Sequence, residues 1–204
     1  LYAVRVERMI GQAKELIHTP EGNEFTQKFS RLEKYEEISD RMEIEIANYL
    51  NKCSEGRLSN ESKHRIASLL SIISEIESIA DSCYSISKTL IRKRDSSVEF
   101  NDEIHQNIDA MFVEVQAAMK NMLFLLENLE HPSEPDMIVS YNKEREINNL
   151  RNQLRSGNIE NINNKHYEYQ AGIYYMDIVG DLEKLGDYII NVVDTIKEQL
   201  QIRS

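Results

Sequence analysis

One hexapeptide frame occurs twice in this chain, and it constrains everything else. Ile76-Glu77-Ser78-Ile79-Ala80-Asp81 returns as Leu182-Glu183-Lys184-Leu185-Gly186-Asp187, 106 positions on from Glu77 to Glu183. Both copies read aliphatic, acid, any residue, aliphatic, small, Asp. An internal repeat of this length makes each half a structural unit that buries its apolar face against its neighbour.

Each copy lies in a long helical pattern of the same register. Ile72, Ile76, Ile79, Cys83, Ile86 and Leu90 step by four and three residues in alternation, and so do Ile178, Leu182, Leu185, Ile189, Val192 and Ile196. That spacing makes one apolar stripe along a helix. With the stripe at heptad positions a and d, Glu77 and Glu183 fall at b, and Asp81 and Asp187 at f. The two acids of each pair are then one turn apart, on the face turned away from the seam. Stacked acids repel by roughly 0.2–0.5 kcal/mol on an exposed helix, so a cation is the simple way to offset them. Ala80 and Gly186 lack bulk and are expected to let another backbone or a ligand come close.

The rest of the composition agrees with long helices. Only 7 Gly and 3 Pro interrupt 204 residues, of which 29% are charged. That length is enough for one or two domains burying about 70% of the unfolded chain's surface. A net charge of −11 repels a phosphate backbone, so no nucleic-acid partner is expected; cations and basic protein surfaces suit it better. Cys53 and Cys83 give neither a disulfide framework nor metal spacing, and Cys83 on the stripe reads as a buried, reduced thiol. No run of 18 apolar residues spans a bilayer and no signal peptide is visible. The chain opens on Leu1 inside a helical pattern, as a piece of a longer protein would.

In order along the chain, Val6, Met9, Ile10, Ala13 and Ile17 mark a first helix, stopped at His18-Thr19-Pro20. A second runs from about Glu24 to Cys53 with Tyr35, Ser39, Met42, Ile46 and Tyr49 in register, followed by a turn at Ser54-Glu55-Gly56-Arg57. Ser59-Asn60-Glu61 supplies N-cap chemistry for a third helix reaching about Lys93. Arg92-Lys93-Arg94 suits its C-terminal dipole end rather than a binding site. A fourth helix carries Ile104, Ile108, Met111, Val115, Met119, Met122 and Leu126, and His131-Pro132-Ser133-Glu134-Pro135 breaks it. A fifth, with Ile147, Leu150 and Leu154, is expected to end by Gly157, and a sixth to start near Ile162. The fold class is all-α: a six-helix bundle of two three-helix repeats, about 1–95 and 96–204, forming one domain over 1–204.

The second helix of each repeat carries a further pair. Glu36 and Asp40 flank Ser39, while Glu144 and Asn148 flank Ile147, with an offset of 108 from residue 36 to residue 144. A single pair means little, because about six acid pairs at i,i+4 arise by chance among 35 acids in 204 residues. Recurrence at equivalent places on consecutive antiparallel helices means more, since four carboxyl groups can then converge. An all-oxygen cluster favours hard cations such as Ca²⁺, Mg²⁺, Mn²⁺ or ferric iron. Glu75 and Asp181 also correspond and rank as lesser candidates.

The two hexapeptides resemble the Leu-Glu-Arg-Ile-Gly-Asp signature of the PhoU family of phosphate-uptake regulators, and the paired acidic helices resemble its second motif. The resemblance covers essentially the whole chain. It implies a bundle of two three-helix repeats with surface metal clusters, iron or zinc, and a regulatory rather than catalytic role. Carried over by position, Glu36, Asp40, Glu77 and Asp81 would form one metal cluster, and Glu144, Asn148, Glu183 and Asp187 the other. Asn148 stands where an acid is expected, so the second site should bind more weakly or with fewer ions. Ala80 for Gly, Ser78 for Arg and Asn60-Glu61-Ser62-Lys63-His64-Arg65 for the usual Asp-Leu-Arg opening depart from free-standing members. These departures resemble the cytoplasmic PhoU-like tails of bacterial sodium/phosphate cotransporters.

The first expectation is therefore a regulatory domain at the cytoplasmic face of the inner membrane. Its partners would be a transmembrane phosphate transporter, in the same chain or complex, and a second copy as a homodimer. A free-standing cytoplasmic regulator of a phosphate ABC transporter and its sensor kinase is the alternative; a metal-free helical docking module is a third. No phosphate loop, nucleophile elbow or Cys-His pair suggests an enzyme. Glu15-Leu16-Ile17-His18 and Glu61-Ser62-Lys63-His64 match the di-iron string, but each sits at a helix end rather than mid-bundle. His105, His131 and His166 are expected at helix starts or turns, facing solvent.

Overall fold

The computed structural model describes residues 1–56, 58–129 and 133–203 as six helices with no strand among them: α1 Tyr2–Ile17, α2 Asn23–Ser54, α3 Asn60–Asp95, α4 Asp102–Glu127, α5 Glu134–Asn163 and α6 Tyr169–Arg203. Both predicted stripes lie in the core: every one of Ile72, Ile76, Ile79, Cys83, Ile86 and Leu90, and of Ile178, Leu182, Leu185, Ile189, Val192 and Ile196, is buried. Each fully buried Ile, Leu or Val contributes about 1.5–3 kcal/mol, so these two seams dominate the packing. They pack on each other, α3 meeting α6 more extensively than any other pair of helices. Met111, Met119 and Met122 of α4 fill the same core.

Around this spine the helices form two bundles, α1–α2–α3 and α4–α5–α6, joined through α3–α6 and α1–α4. Among the described residues the outer helices α2 and α5 pack only on their own repeat. Their buried faces are correspondingly thin. On α2 only Phe25, Leu32 and Ser39 are buried, and Tyr49, the last member of its expected stripe, is exposed.

Local chemistry explains most helix ends. The Ser59, Asn101 and Ser133 side chains accept the N–H groups of Ser62 (3.1 Å), Ile104 (2.9 Å) and Asp136 (3.3 Å) as N-caps of α3, α4 and α5. Glu130, His131 and Pro132, in the expected break after α4, lie outside the described residues, as does Arg57 of the expected turn. The basic end of α3 is used structurally: Arg92 pairs with Asp177 of α6 at 3.2 Å, Lys93 lies over the Phe100 ring and Arg94 over the Phe25 ring.

The fifth helix departs from expectation. It does not stop at Gly157 but continues to Asn163, and α6 begins at Tyr169 rather than near Ile162. A helical Gly costs about 1 kcal/mol relative to Ala, and packing beyond it offsets that. Gly172 of α6 admits α5 so closely that a Cβ there would lie 2.5 Å from Ile162 Cδ1 and 2.7 Å from Asn158 Oδ1. Buried Asn158 also accepts the Tyr167 hydroxyl at 2.9 Å. The end itself is a Schellman turn with Lys165 left-handed (φ 58°): Lys165 N–H meets the Ile162 carbonyl and His166 N–H that of Asn161. Ser97 (φ 53°) closes α3 in the same way. Neither turn uses the glycine that would have announced it.

Candidate metal centre

In the first repeat, burying Leu32 and Ser39 of α2 turns Glu36, Asp40 and Glu43 along one flank of the helix. Burying Ile76, Ile79 and Ala80 of α3 brings Glu77 and Asp81 to the facing flank. The five acids share one electrostatic neighbourhood. Burial pushes Glu77 up to about 7, and the charges of Glu43, Asp40, Asp81 and Glu36 push it the same way. Glu36 is raised by burial, then by Asp40 and Asp81. Lys88 opposes this weakly, its ammonium sitting 4.5 Å over the Tyr84 ring rather than on a carboxylate.

Beyond that distant lysine, nothing among the described residues neutralises this group. Among the described residues none of the five acids forms an ion pair, and the buried Oδ1 of Asp40 has no hydrogen-bond partner. Tyr2 closes the near end: its hydroxyl meets Ser39 Oγ at 2.9 Å, and its phenol is pushed up to about 12, by burial first and then by Glu77, Glu43 and Asp40. Neither Glu43 nor Tyr2 was expected at this group. The spacing Glu36, Asp40, Glu43 was the available signal for the first; Tyr2, 37 residues from Ser39, gave none. No three His, Cys, Asp or Glu side chains among the described residues stand close enough together to grip an ion as they lie. Mutually repelling carboxylates on flexible stems splay in this way.

The second repeat gathers Glu144, Asn148, Glu183 and Asp187 at the equivalent place but treats the charge differently. Asp187 is raised by burial, then by Glu183 and Glu144, while the Arg151 cation pulls it back. Arg151 donates to the Glu183 carboxylate, and the Asn148 amide donates to Glu144. Arg151 is the counterpart of Glu43 under the offset that relates Glu144 to Glu36. The two sites thus differ at two positions, Asp40 against Asn148 and Glu43 against Arg151, and each difference removes negative charge from the second.

The lesser candidates lie elsewhere. Glu75 accepts from Asn191 of α6 at 3.1 Å, and Asp181, buried, accepts from Lys184 at 3.1 Å. Both occupy the α3–α6 seam between repeats and add nothing to either group. Gly186 serves packing rather than ligand approach: a Cβ there would lie 3.1 Å from Ile147 Cδ1. Glu15, His18, Glu61 and His64 are all exposed at helix ends, away from the core. His18 instead meets Asp109 at 2.9 Å. His166 is exposed as expected, and His131 lies outside the described residues. His105 departs from expectation: it is half-buried, stacked 5.2 Å from His18 and edge-on to Phe100. Burial lowers its pKa.

The family model described as PhoU domain matches residues 2–90. No curated protein matches the sequence. Among solved structures, the chain is similar to PhoU from Pseudomonas aeruginosa, with TM-score 0.86 and 11% identity over 98% of this chain and 92% of that one. It is also similar to the phosphate transport system regulatory protein PhoU from Streptococcus pneumoniae, with TM-score 0.80 and 14% identity over 98% and 89%. The chain has the fold of these proteins along its whole described length, and its first repeat carries the sequence match.

Proposed function

We propose that this chain is a PhoU-family regulator of phosphate uptake whose first repeat holds metal ions on Glu36, Asp40, Glu77 and Asp81, with Glu43 as a fifth donor. One coincidence carries the reading: the segment that matches the PhoU domain, residues 2–90, contains the whole un-neutralised acidic group of α2 and α3. The group suits a hard cation. All its donors are carboxylate oxygens, their charges reach one another, and Asp40 keeps one buried oxygen without a partner. Iron or zinc is the first choice by family resemblance, and Mn²⁺, Mg²⁺ or Ca²⁺ suits the same donor set. A bound ion would tie α2 to α3 by offsetting their mutual repulsion.

The protein would act by docking rather than by catalysis, at the cytoplasmic face of the inner membrane beside a phosphate transporter. The departures of Ser78, Ala80 and the α3 opening favour the regulatory tail of a sodium/phosphate cotransporter, working alone or as a homodimer. No described helix is long and apolar enough to cross a membrane, so anchoring would come from other segments or a partner. Its likeness to the phosphate transport system regulatory protein PhoU from Streptococcus pneumoniae supports a second reading, a separate regulator of a phosphate ABC transporter.

The test is radiolabelled phosphate uptake in the source organism, with the coding segment deleted and then restored. Deletion should deregulate uptake when external phosphate is varied, and the doubly substituted Glu77→Gln/Asp81→Asn form should restore control poorly. Unchanged uptake on deletion would overturn the regulatory reading. Membrane fractions washed with carbonate separate the two variants: an integral tail stays with the pellet and a separate regulator leaves it.

A further inference from the structure

We propose that in the second repeat the Arg151 guanidinium occupies the role of the metal ion, so that α5 and α6 are joined by an internal cation and only the α2–α3 group binds ions. This rests on the reading of the first repeat as a metal site. Under the register that superposes Glu36 on Glu144 and Ser39 on Ile147, Glu43 falls on Arg151. A donor in one repeat is thus a cation in the other, at the same turn of the same helix.

The geometry shows that this cation is engaged. Arg151 donates from Nη2 to the Glu183 carboxylate across the α5–α6 contact, with side-chain exposures of 30% and 17%. Partial burial makes such a charge-assisted bond stronger than an exposed ion pair. The Asn148 amide nitrogen donates to Glu144, while its buried Oδ1, like that of Asp40, has no partner but carries no charge; two of the three remaining carboxylates thus already have protein donors. Among the described residues Asp187 alone lacks one. An ion arriving here meets three carboxylates instead of five and must first displace a guanidinium that no accessible pH deprotonates.

The Arg151–Glu183 pair is open to solvent on one side. Arg151 and Glu183 line an open groove of about 430 Å³ together with Arg155, Met176, Val179 and Gly180, where a water's share of volume is about 30 Å³. Of the four residues at this site the groove reaches Glu183, and Arg155, one turn beyond Arg151, makes that side more positive still. Exclusion at the second repeat then rests on the engaged guanidinium and the missing carboxylates, and one substitution should reverse it. The consequence for regulation is asymmetry: metal supply acts on the α2–α3 interface alone, while α5–α6 is held whatever the metal concentration.

The experiment uses the full chain, stripped with chelator and titrated with Zn²⁺ and separately with Mn²⁺, reading bound metal by elemental analysis and affinity by calorimetry. Glu77→Gln/Asp81→Asn should weaken binding by at least about tenfold, whereas Glu183→Gln/Asp187→Asn should leave stoichiometry and affinity within about twofold of wild type. Arg151→Glu, which restores the residue type of the first repeat, should add a second set of bound ions, with Arg151→Gln as the milder variant should that protein fold poorly. If Glu183→Gln/Asp187→Asn removes about half of the bound metal, the second repeat is a metal site and the role given to Arg151 is wrong while the first-repeat reading stands. If wild type binds neither ion, the metal reading itself falls, and the substitution by Arg151 with it.

Discussion

Gly186 of α6 lies so close to Ile147 of α5 that a Cβ on it would stand 3.1 Å from Ile147 Cδ1 and 3.3 Å from Cγ2. The equivalent residues of the first repeat are Ala80 and Ser39, a larger residue facing a smaller one. Each repeat reaches the same helix approach by dividing volume differently between the two positions. Gly186→Ala is therefore expected to destabilise the protein by about 1 kcal/mol, because overpacking outweighs the gain in helix propensity. In the Ile147→Ser background the same change should become stabilising by up to about 1 kcal/mol. A urea-unfolding double-mutant cycle reads the reversal; equal effects in both backgrounds would dissociate the two residues.

The raised Glu77 carboxyl makes stability depend on pH. Its folded value of about 7 exceeds the ordinary 4.5, so the unfolded chain loses this proton first. Between those values the folded state binds more protons, and stability falls as pH rises. The contribution is fully present below about pH 4.5 and lost once pH passes about 7. Glu36 and Asp187, also raised, act in the same direction. In chelator, Glu77→Gln should gain on the order of 1 kcal/mol over wild type at pH 8, after allowance for solvent at this half-buried group, and little at pH 4.5. A pH series of urea midpoints showing parallel curves for the two proteins would count against it.

Asp81 is the exposed member of the first group and contributes one like charge to it. Asp81→Asn in chelator should leave the fold intact and raise stability by a few tenths of a kcal/mol through lost repulsion, while weakening metal uptake. Thermal melts with and without Zn²⁺ check both halves. A large loss of stability in chelator would mean that Asp81 holds a structural contact instead.

Arg151 should behave in the opposite sense. Arg151→Gln leaves the partly buried Glu183 without its cation, and the expected cost in chelator is about 1–3 kcal/mol. Glu43→Gln at the equivalent place should cost nothing or stabilise slightly, because it removes a repelling charge. Chemical denaturation of the two variants side by side tests this difference in sign between matched positions.

Much of this molecule is written in local periodicity. The stripes through Ile76 and Leu182 specify buried faces because helical side chains recur every 3.6 residues, and that same period places Glu77 with Asp81 and Glu183 with Asp187 on neighbouring flanks. Caps such as Ser59 are equally local. The end of α5 was hidden because its turn uses Lys165 in place of glycine, and because contacts with Gly172 carry the helix past Gly157. His105 was misplaced for a related reason: its burial depends on His18 and Phe100, which arrive from α1 and from the turn before α4.

Six helices, the repeated hexapeptide and the helix faces that bear the acids are thus legible along the chain, because all of them follow from interactions within a few residues. What each acid faces is settled by helix docking. Whether a carboxylate meets another carboxylate, as Glu77 does, or a guanidinium, as Glu183 does, depends on how α2 docks on α3 and α5 on α6. That docking is set by side-chain volume at distant positions such as Ile147 and Gly186, which no periodicity within one helix encodes.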